Sequence, residues 1–134
     1  MLDGEIAYRR GEFDRAFARL REAVALDDAL PYDEPWGWMQ PVRHALGALL
    51  LEQDGTEEAL AVYTADLGLD ATLRRPCRHP ENVWSLHGYY ECLLRLGRDE
   101  AAAFVRPRLD LALARATVPI ASSCFCRTSA IAAD

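Results

Sequence analysis

Apolar side chains recur at intervals of three and four residues along most of the chain, which is the spacing of one face of an α-helix. In EFDRAFARLREAVALD the apolar stripe consists of Phe13, Ala16, Phe17, Leu20, Ala23 and Val24. The same spacing continues in VRHALGALLLEQ, TEEALAVYTADLGL, NVWSLHGYYECLLRL and DEAAAFVRPRLDLALARA. The alternation of apolar and polar residues that is typical of a half-buried strand is absent. The pattern therefore predicts an all-α fold.

The breaks between these runs alternate in length. Short breaks at Gly11, at Asp54–Gly55 and at Gly97 are each followed by acidic residues, which suit the first turn of a helix. Longer breaks occur at DDALPYDEPWGWMQP and DATLRRPCRHP, both rich in proline and other turn formers. This rhythm predicts a single domain over residues 1–134 that contains three antiparallel helical hairpins. They span about 2–28, 39–69 and 80–116, with connectors at 29–38 and 70–80 and an irregular tail at 117–134.

The hairpins also repeat one another. GEIAYRRGEFDRAFARLREAVALD aligns without a gap on GALLLEQDGTEEALAVYTADLGLD, which pairs Gly4 with Gly47 and Leu20 with Tyr63. A third unit, WSLHGYYECLLRLGRDEAAAFVRPRLDLA, fits with about one extra residue before its turn. Small residues recur where helices would cross closely, at Gly4, Gly47 and Gly88 on the first helices and at Ala16, Ala59 and Ala101 or Ala102 on the second.

Two stretches carry a family signature. Trp84 to Tyr90, W-S-L-H-G-Y-Y, has the Trp, Leu, Gly and aromatic residues of a first helix, and YRRGEFDRAFARLREAVALD has the Ala and aromatic pattern of a second. The units therefore resemble tetratricopeptide repeats (TPRs) over residues 2 to about 115. They depart from the pattern at Asp28 and Ala71, where a Pro is usual. The resemblance implies a short α-solenoid whose first helices line a concave, peptide-binding groove.

Two longer stretches, YDEP…W…PVR and HPENVWSLHGYYECL, are similar to parts of bacterial repeat proteins. The first unit starts almost on its glycine, so part of its first helix is missing. We therefore expect this chain to be the carboxy-terminal part of a longer array, or one with a truncated start. An exposed helix face at Ile6 and Ala7 would also favour a homodimer.

The alignment of the repeats indicates which side chains should face the expected groove. Family members that clamp a peptide carboxylate use Lys and Asn there, but this chain has no Lys and its second unit has His44 and Ala48. We therefore expect the groove to bind a helical or extended protein segment and not a peptide carboxylate. The groove residues are Glu5, Tyr8, Arg9, His44, Ala48, Glu52, Asn82, Ser85, Tyr89 and Cys92.

The first connector contains three aromatic residues, Tyr32, Trp36 and Trp38, among three prolines. Such a loop either locks adjacent hairpins together by packing or, where exposed, anchors a partner.

Four residues offer ligands for a metal. Cys77 and His79 lie in the second connector, and Cys124 and Cys126 lie in the tail. Thiolate and imidazole groups suit tetrahedral zinc, but both spacings are tighter than the usual C-x2-C, and the pairs meet only if the tail folds back across the last hairpin. Unpaired thiols and a redox-sensitive pair are the alternatives.

Charge and composition exclude several other functions. The formal net charge is -6, and the densest cationic cluster is only LRRPCRH, so we expect no nucleic-acid partner. The amino terminus lacks the apolar core of a signal peptide, and no apolar run reaches the roughly 18 residues of a membrane span. We expect a cytoplasmic protein that does not bind membranes.

Neither His44 nor His87 is accompanied by a convincing nucleophile, so we expect no enzyme. The sequence favours a non-enzymatic scaffold without a cofactor that binds a protein or peptide. The alternative is a small metal-binding or thiol-redox module that uses the four Cys and His residues above.

Overall fold

The computed structural model describes residues 1–30 and 40–127, and these residues form six α-helices and no strand. Consecutive helices pack as antiparallel hairpins, α2 contacts α3, and both α3 and α4 contact α5. Within the described ranges, no helix has the length and apolar character that crossing a membrane requires. The predicted all-α fold of three stacked hairpins is confirmed. Its helices are α1 (Leu2–Arg9), α2 (Phe13–Asp28), α3 (Val42–Glu52), α4 (Thr56–Asp66), α5 (Val83–Arg95) and α6 (Asp99–Arg115).

The three hairpin turns share one backbone geometry. In each turn an N–H group donates to the carbonyl oxygen five residues earlier, at 2.9 to 3.0 Å, which is the Schellman ending of a helix. The residue before each donor has a left-handed φ, a conformation that glycine adopts at little cost and aspartate tolerates. These residues are Gly11 (φ 77°), Asp54 (φ 59°) and Gly97 (φ 66°), and they are the predicted short breaks.

The connectors are ordered differently from the turns. The second connector contains a short 3-10 helix, Arg75–Cys77, and leads into Asn82, whose side-chain oxygen accepts the Ser85 N–H at 2.9 Å and caps α5. The aromatic residues of the first connector, Tyr32, Trp36 and Trp38, lie outside the described residues. The described part of the tail, 117–127, contains no helix.

The first two hairpins are joined by an ion pair. Asp28, the last residue of α2, accepts hydrogen bonds from both terminal nitrogens of Arg43 on α3, with Nη2 at 2.7 Å from Oδ2. Arg43 is buried, and two parallel hydrogen bonds fix the guanidinium group more firmly than a single contact would. Asp28 therefore connects the hairpins at the position where the repeat pattern usually has a Pro.

The centre of the stack is the ring of Tyr63, which extends from α4 into the space between α3 and α5. Gly47 lies on one side of the ring and Gly88 on the other, and a methyl group at either position would lie closer than 3.0 Å to ring carbons. Gly4 has the same relation to Leu20, the residue that the alignment pairs with Tyr63. The close crossings predicted at these three glycines are confirmed.

Gly88→Ala should destabilise the protein by about 1–3 kcal/mol, because the added methyl group overlaps the ring of Tyr63. An unobstructed Gly-to-Ala change inside a helix has the opposite sign and stabilises by about 0.5–1 kcal/mol. Urea unfolding followed by circular dichroism measures the change. Most of the penalty should disappear in a Tyr63→Leu background, and an equal penalty in both backgrounds would contradict the packing described.

Candidate binding groove

The tail folds back over the helices and contacts all three hairpins. Arg9 of α1 donates to the carbonyl of Cys126, the Tyr63 hydroxyl is hydrogen-bonded to Ser123, and Glu91 of α5 pairs with Arg127. We call residues 122–127 the tail segment. The surface beneath it, formed by Arg9, Tyr63, Trp84 and Glu91, is called the groove.

The ion pair between Arg127 and Glu91 is a largely enclosed polar contact of the tail segment. Nη1 of Arg127 lies 2.9 Å from both carboxylate oxygens, and the two side chains are only 3% and 14% exposed. Glu91 also accepts a hydrogen bond of 2.7 Å from Nη2 of Arg95, which lies one helical turn further along α5. A pair so shielded from water interacts more strongly than a surface ion pair.

The contact between Tyr63 and Ser123 joins the tail segment to the core. Tyr63 is fully buried, and this burial raises its pKa well above the ordinary value, so the phenol stays protonated at neutral pH. Ser122 is buried as well, and its hydroxyl oxygen accepts the Cys124 N–H at 3.1 Å. The Arg127 N–H donates to the Cys124 carbonyl at 3.2 Å, which closes a turn.

The four candidate zinc ligands are not brought together. Cys124 and Cys126 form a disulfide with each other, His79 is hydrogen-bonded to Asp66, and Cys77 is half-buried in the 3-10 helix. Among residues 1–30 and 40–127, no group of three or more His, Cys, Asp or Glu side chains is arranged to hold a metal ion. The tail does fold back over the helices, but the turn that it forms joins the sulfur atoms of Cys124 and Cys126 in a disulfide.

An open pocket of about 430 Å³ lies beside the tail segment, where it passes α1. Polar and apolar groups share its walls, so it could receive an amphipathic side chain. The lining residues are Glu5, Ile6, Arg9, Arg10, Phe125 and Cys126.

A second polar cluster surrounds Asp66 at the end of α4, between α3 and α5. Oδ2 of Asp66 accepts hydrogen bonds from His44 Nε2 at 3.2 Å, Asn82 Nδ2 at 3.0 Å and Ser85 Oγ at 2.5 Å. Oδ1 accepts one from His79 Nδ1 at 2.8 Å. Because four donors from α3, the second connector and α5 meet on one carboxylate, this cluster fixes the second hairpin against the third.

The charge of Asp66 is maintained by these donors. Burial alone would raise its pKa, but the hydrogen bonds from His44 and His79 outweigh burial and lower the pKa well below the ordinary range. An ionised carboxylate only accepts hydrogen bonds, so His44 Nε2 and His79 Nδ1 both carry protons.

The Asp66 cluster contains the residue types of a Ser-His-Asp triad in a different arrangement. The hydroxyl of Ser85 donates to the carboxylate, whereas a nucleophilic serine donates to an imidazole. Ser85 and Asp66 are also 0% and 1% exposed, which leaves no approach for a substrate. The geometry is that of a structural network.

The expected groove residues divide into three groups. Glu5 and Arg9 line the open pocket, and Arg9 contacts the tail segment. Glu52, Asn82 and Tyr89 are half-buried. The remaining five are buried, and they are Tyr8, His44, Ala48, Ser85 and Cys92.

Two of the buried residues, Tyr8 and Cys92, have surroundings that explain their role in the core. The ring of Tyr8 contacts those of Phe13 and Phe17 edge to face, and its hydroxyl oxygen accepts a hydrogen bond from Gln53 Nε2 at 2.9 Å. Burial raises the pKa of Cys92 to about 12, so this thiol is protonated and unreactive at neutral pH. Ala7, expected on an exposed face with Ile6, is buried as well, whereas Ile6 is exposed.

Sequence reasoning missed the residues that make the principal contacts. Tyr63 had a visible signal, because it stands where the first repeat has Leu20 and two glycines recur at the neighbouring crossings. Asp66 also had one, as an acid at the end of an apolar helix. Glu91 and Arg127 had none, because their pairing depends on the path of the tail.

Asp66→Asn should lower the free energy of unfolding at pH 7 by on the order of 3 kcal/mol, because it removes the charge that several buried donors share. The folded pKa of Asp66 lies below its unfolded value of about 4. Its stabilisation is therefore present above pH 4 and is lost as the pH falls further.

Urea unfolding at pH 7 and at lower pH values tests both parts of this expectation. The wild-type protein should lose stability more steeply below about pH 4 than Asp66→Asn does. Asp110→Asn, which alters an exposed ion pair with Arg106, is the control and should change stability little. A variant at Asp66 that behaved like this control would contradict the role of the cluster.

No protein-family model, curated protein or solved structure matches this chain.

Proposed function

We propose that this chain is a non-enzymatic helical-repeat scaffold of the tetratricopeptide type, whose groove binds a segment of another protein or of a longer chain that contains it. The single observation that carries this proposal is the tail segment lying in the groove. A non-helical stretch of polypeptide already contacts Arg9, Tyr63 and Glu91, so the groove has the shape and the polar groups that such a ligand requires.

The contacts combine two kinds of recognition. Arg9 binds a backbone carbonyl, which any sequence supplies, whereas Tyr63 and Glu91 bind side chains and so distinguish one sequence from another. The open pocket next to Arg9 leaves room for a further side chain of a ligand. This combination is typical of peptide recognition.

The Asp66 cluster supports a scaffold in another way. Its polar groups satisfy one another and are enclosed, so they stabilise the alignment of α3, α4 and α5 on which the groove depends. The zinc alternative lacks comparable support, because within the described ranges the Cys and His residues do not converge.

The test uses a labelled, disulfide-bonded and amidated peptide of residues 120–127, titrated against the full chain by fluorescence anisotropy. The double variant Ser123→Ala/Arg127→Ala removes two contacts of the chain's own tail and leaves the groove intact. This variant should bind the peptide at least about tenfold more tightly than the wild type does. In the wild type the chain's own tethered tail competes with the peptide at a high effective concentration.

Arg115→Ala is the matched control, since it removes one positive charge at the exposed end of α6. It should bind the peptide as weakly as the wild type. If the double variant fails to bind the peptide, the groove does not accept a segment in trans and the proposal is wrong.

A further inference from the structure

The tail segment indicates which chemistry the groove selects. In the groove, the hydroxyl group of Tyr63 is hydrogen-bonded to Ser123, and the carboxylate of Glu91 binds Arg127. Arg127 follows Ser123 by four positions in the sequence. We propose that the groove binds a turn-forming segment of a partner protein that carries a hydroxyl residue followed four positions later by arginine, and that the tail competes for the same site. This inference rests on the proposed function and specifies the partner.

The carboxylate of Glu91 selects a guanidinium group. Arg127 presents Nη1 at the same distance, 2.9 Å, from both carboxylate oxygens, while Arg95 approaches Oε1 from another side at 2.7 Å. The planar guanidinium group fits such a shared, enclosed site better than the rounded, strongly hydrated ammonium group of lysine. Arginine is therefore the preferred basic residue of the partner.

The groove can lose its tail without leaving a buried charge unpaired. Arg95 remains hydrogen-bonded to Glu91 when Arg127 departs, because both lie on α5. The ring of Tyr63 is held between Gly47 and Gly88 independently of the tail. An open groove is therefore compatible with an intact stack of helices.

The chain's own tail is an imperfect ligand. Arg127 Nε is buried without a hydrogen-bond partner among the described residues. Nδ1 of His87 is likewise buried without one, and this burial lowers the pKa of His87. Phe125 packs edge to face on Trp84 but remains 69% exposed. A partner that supplies an oxygen acceptor here, or a better covered aromatic group, makes contacts that the tail lacks.

The overall charge also favours a basic segment. The formal net charge of the chain is -6, so a segment that carries arginine is attracted over a distance before it docks.

The experiment exchanges charges between the groove and the peptide. The Ser123→Ala/Arg127→Ala chain is titrated with the disulfide-bonded peptide of residues 120–127 and with the same peptide carrying Arg127→Glu. We expect the arginine peptide to bind at least about tenfold more tightly. Adding Glu91→Gln to the chain should remove this preference, and adding Glu91→Arg should reverse it.

A third peptide, with Ser123→Ala, tests the hydroxyl group and should bind about fivefold more weakly than the arginine peptide. Equal affinity for the arginine and glutamate peptides would overturn the inferred selection while leaving groove binding intact. Failure of every peptide to bind would overturn the proposed function as well. If Glu91→Arg prevents folding, as read from circular dichroism, Glu91→Gln alone decides the matter.

Discussion

The packing of the Tyr63 ring between α3 and α5 is the constraint on which the rest of the structure depends. The two helices approach closely because Gly47 and Gly88 lack side chains, and the ring occupies the space that results. The same ring carries its hydroxyl group through the helical layer to Ser123. One side chain therefore determines the spacing of the second and third hairpins and also provides the central contact of the groove.

The Asp66 cluster complements this apolar packing with directional bonds. Tyr63 and Asp66 are neighbours on α4, yet they serve the stack differently, since a ring fills space and a carboxylate fixes orientation. The donors to Asp66 come from His44, His79, Asn82 and Ser85. Because Asn82 also caps α5, the beginning of that helix and the end of α4 are held together. The groove residues of α5 keep their positions as a consequence.

Most of the fold could be predicted from the sequence, because helical periodicity, glycine turns and small residues at crossings are local signals. The groove was harder to predict. A one-dimensional repeat pattern identifies the face of a helix but not what covers it, so His44 and Ser85 were expected at the groove although neighbouring helices and the cluster around Asp66 enclose them. The contact of Arg127 with Glu91 depends on where an irregular tail turns, and periodicity carries no information about that path.

Amide hydrogen exchange in the full chain, resolved by mass spectrometry, tests most directly whether the tail segment lies in the groove. Residues 122–127 should exchange slowly in the wild type and much faster in Tyr63→Phe, which removes the hydroxyl contact with Ser123, while exchange in α6 stays unchanged. Exchange of the wild-type tail at the rate of an unstructured peptide would contradict the account.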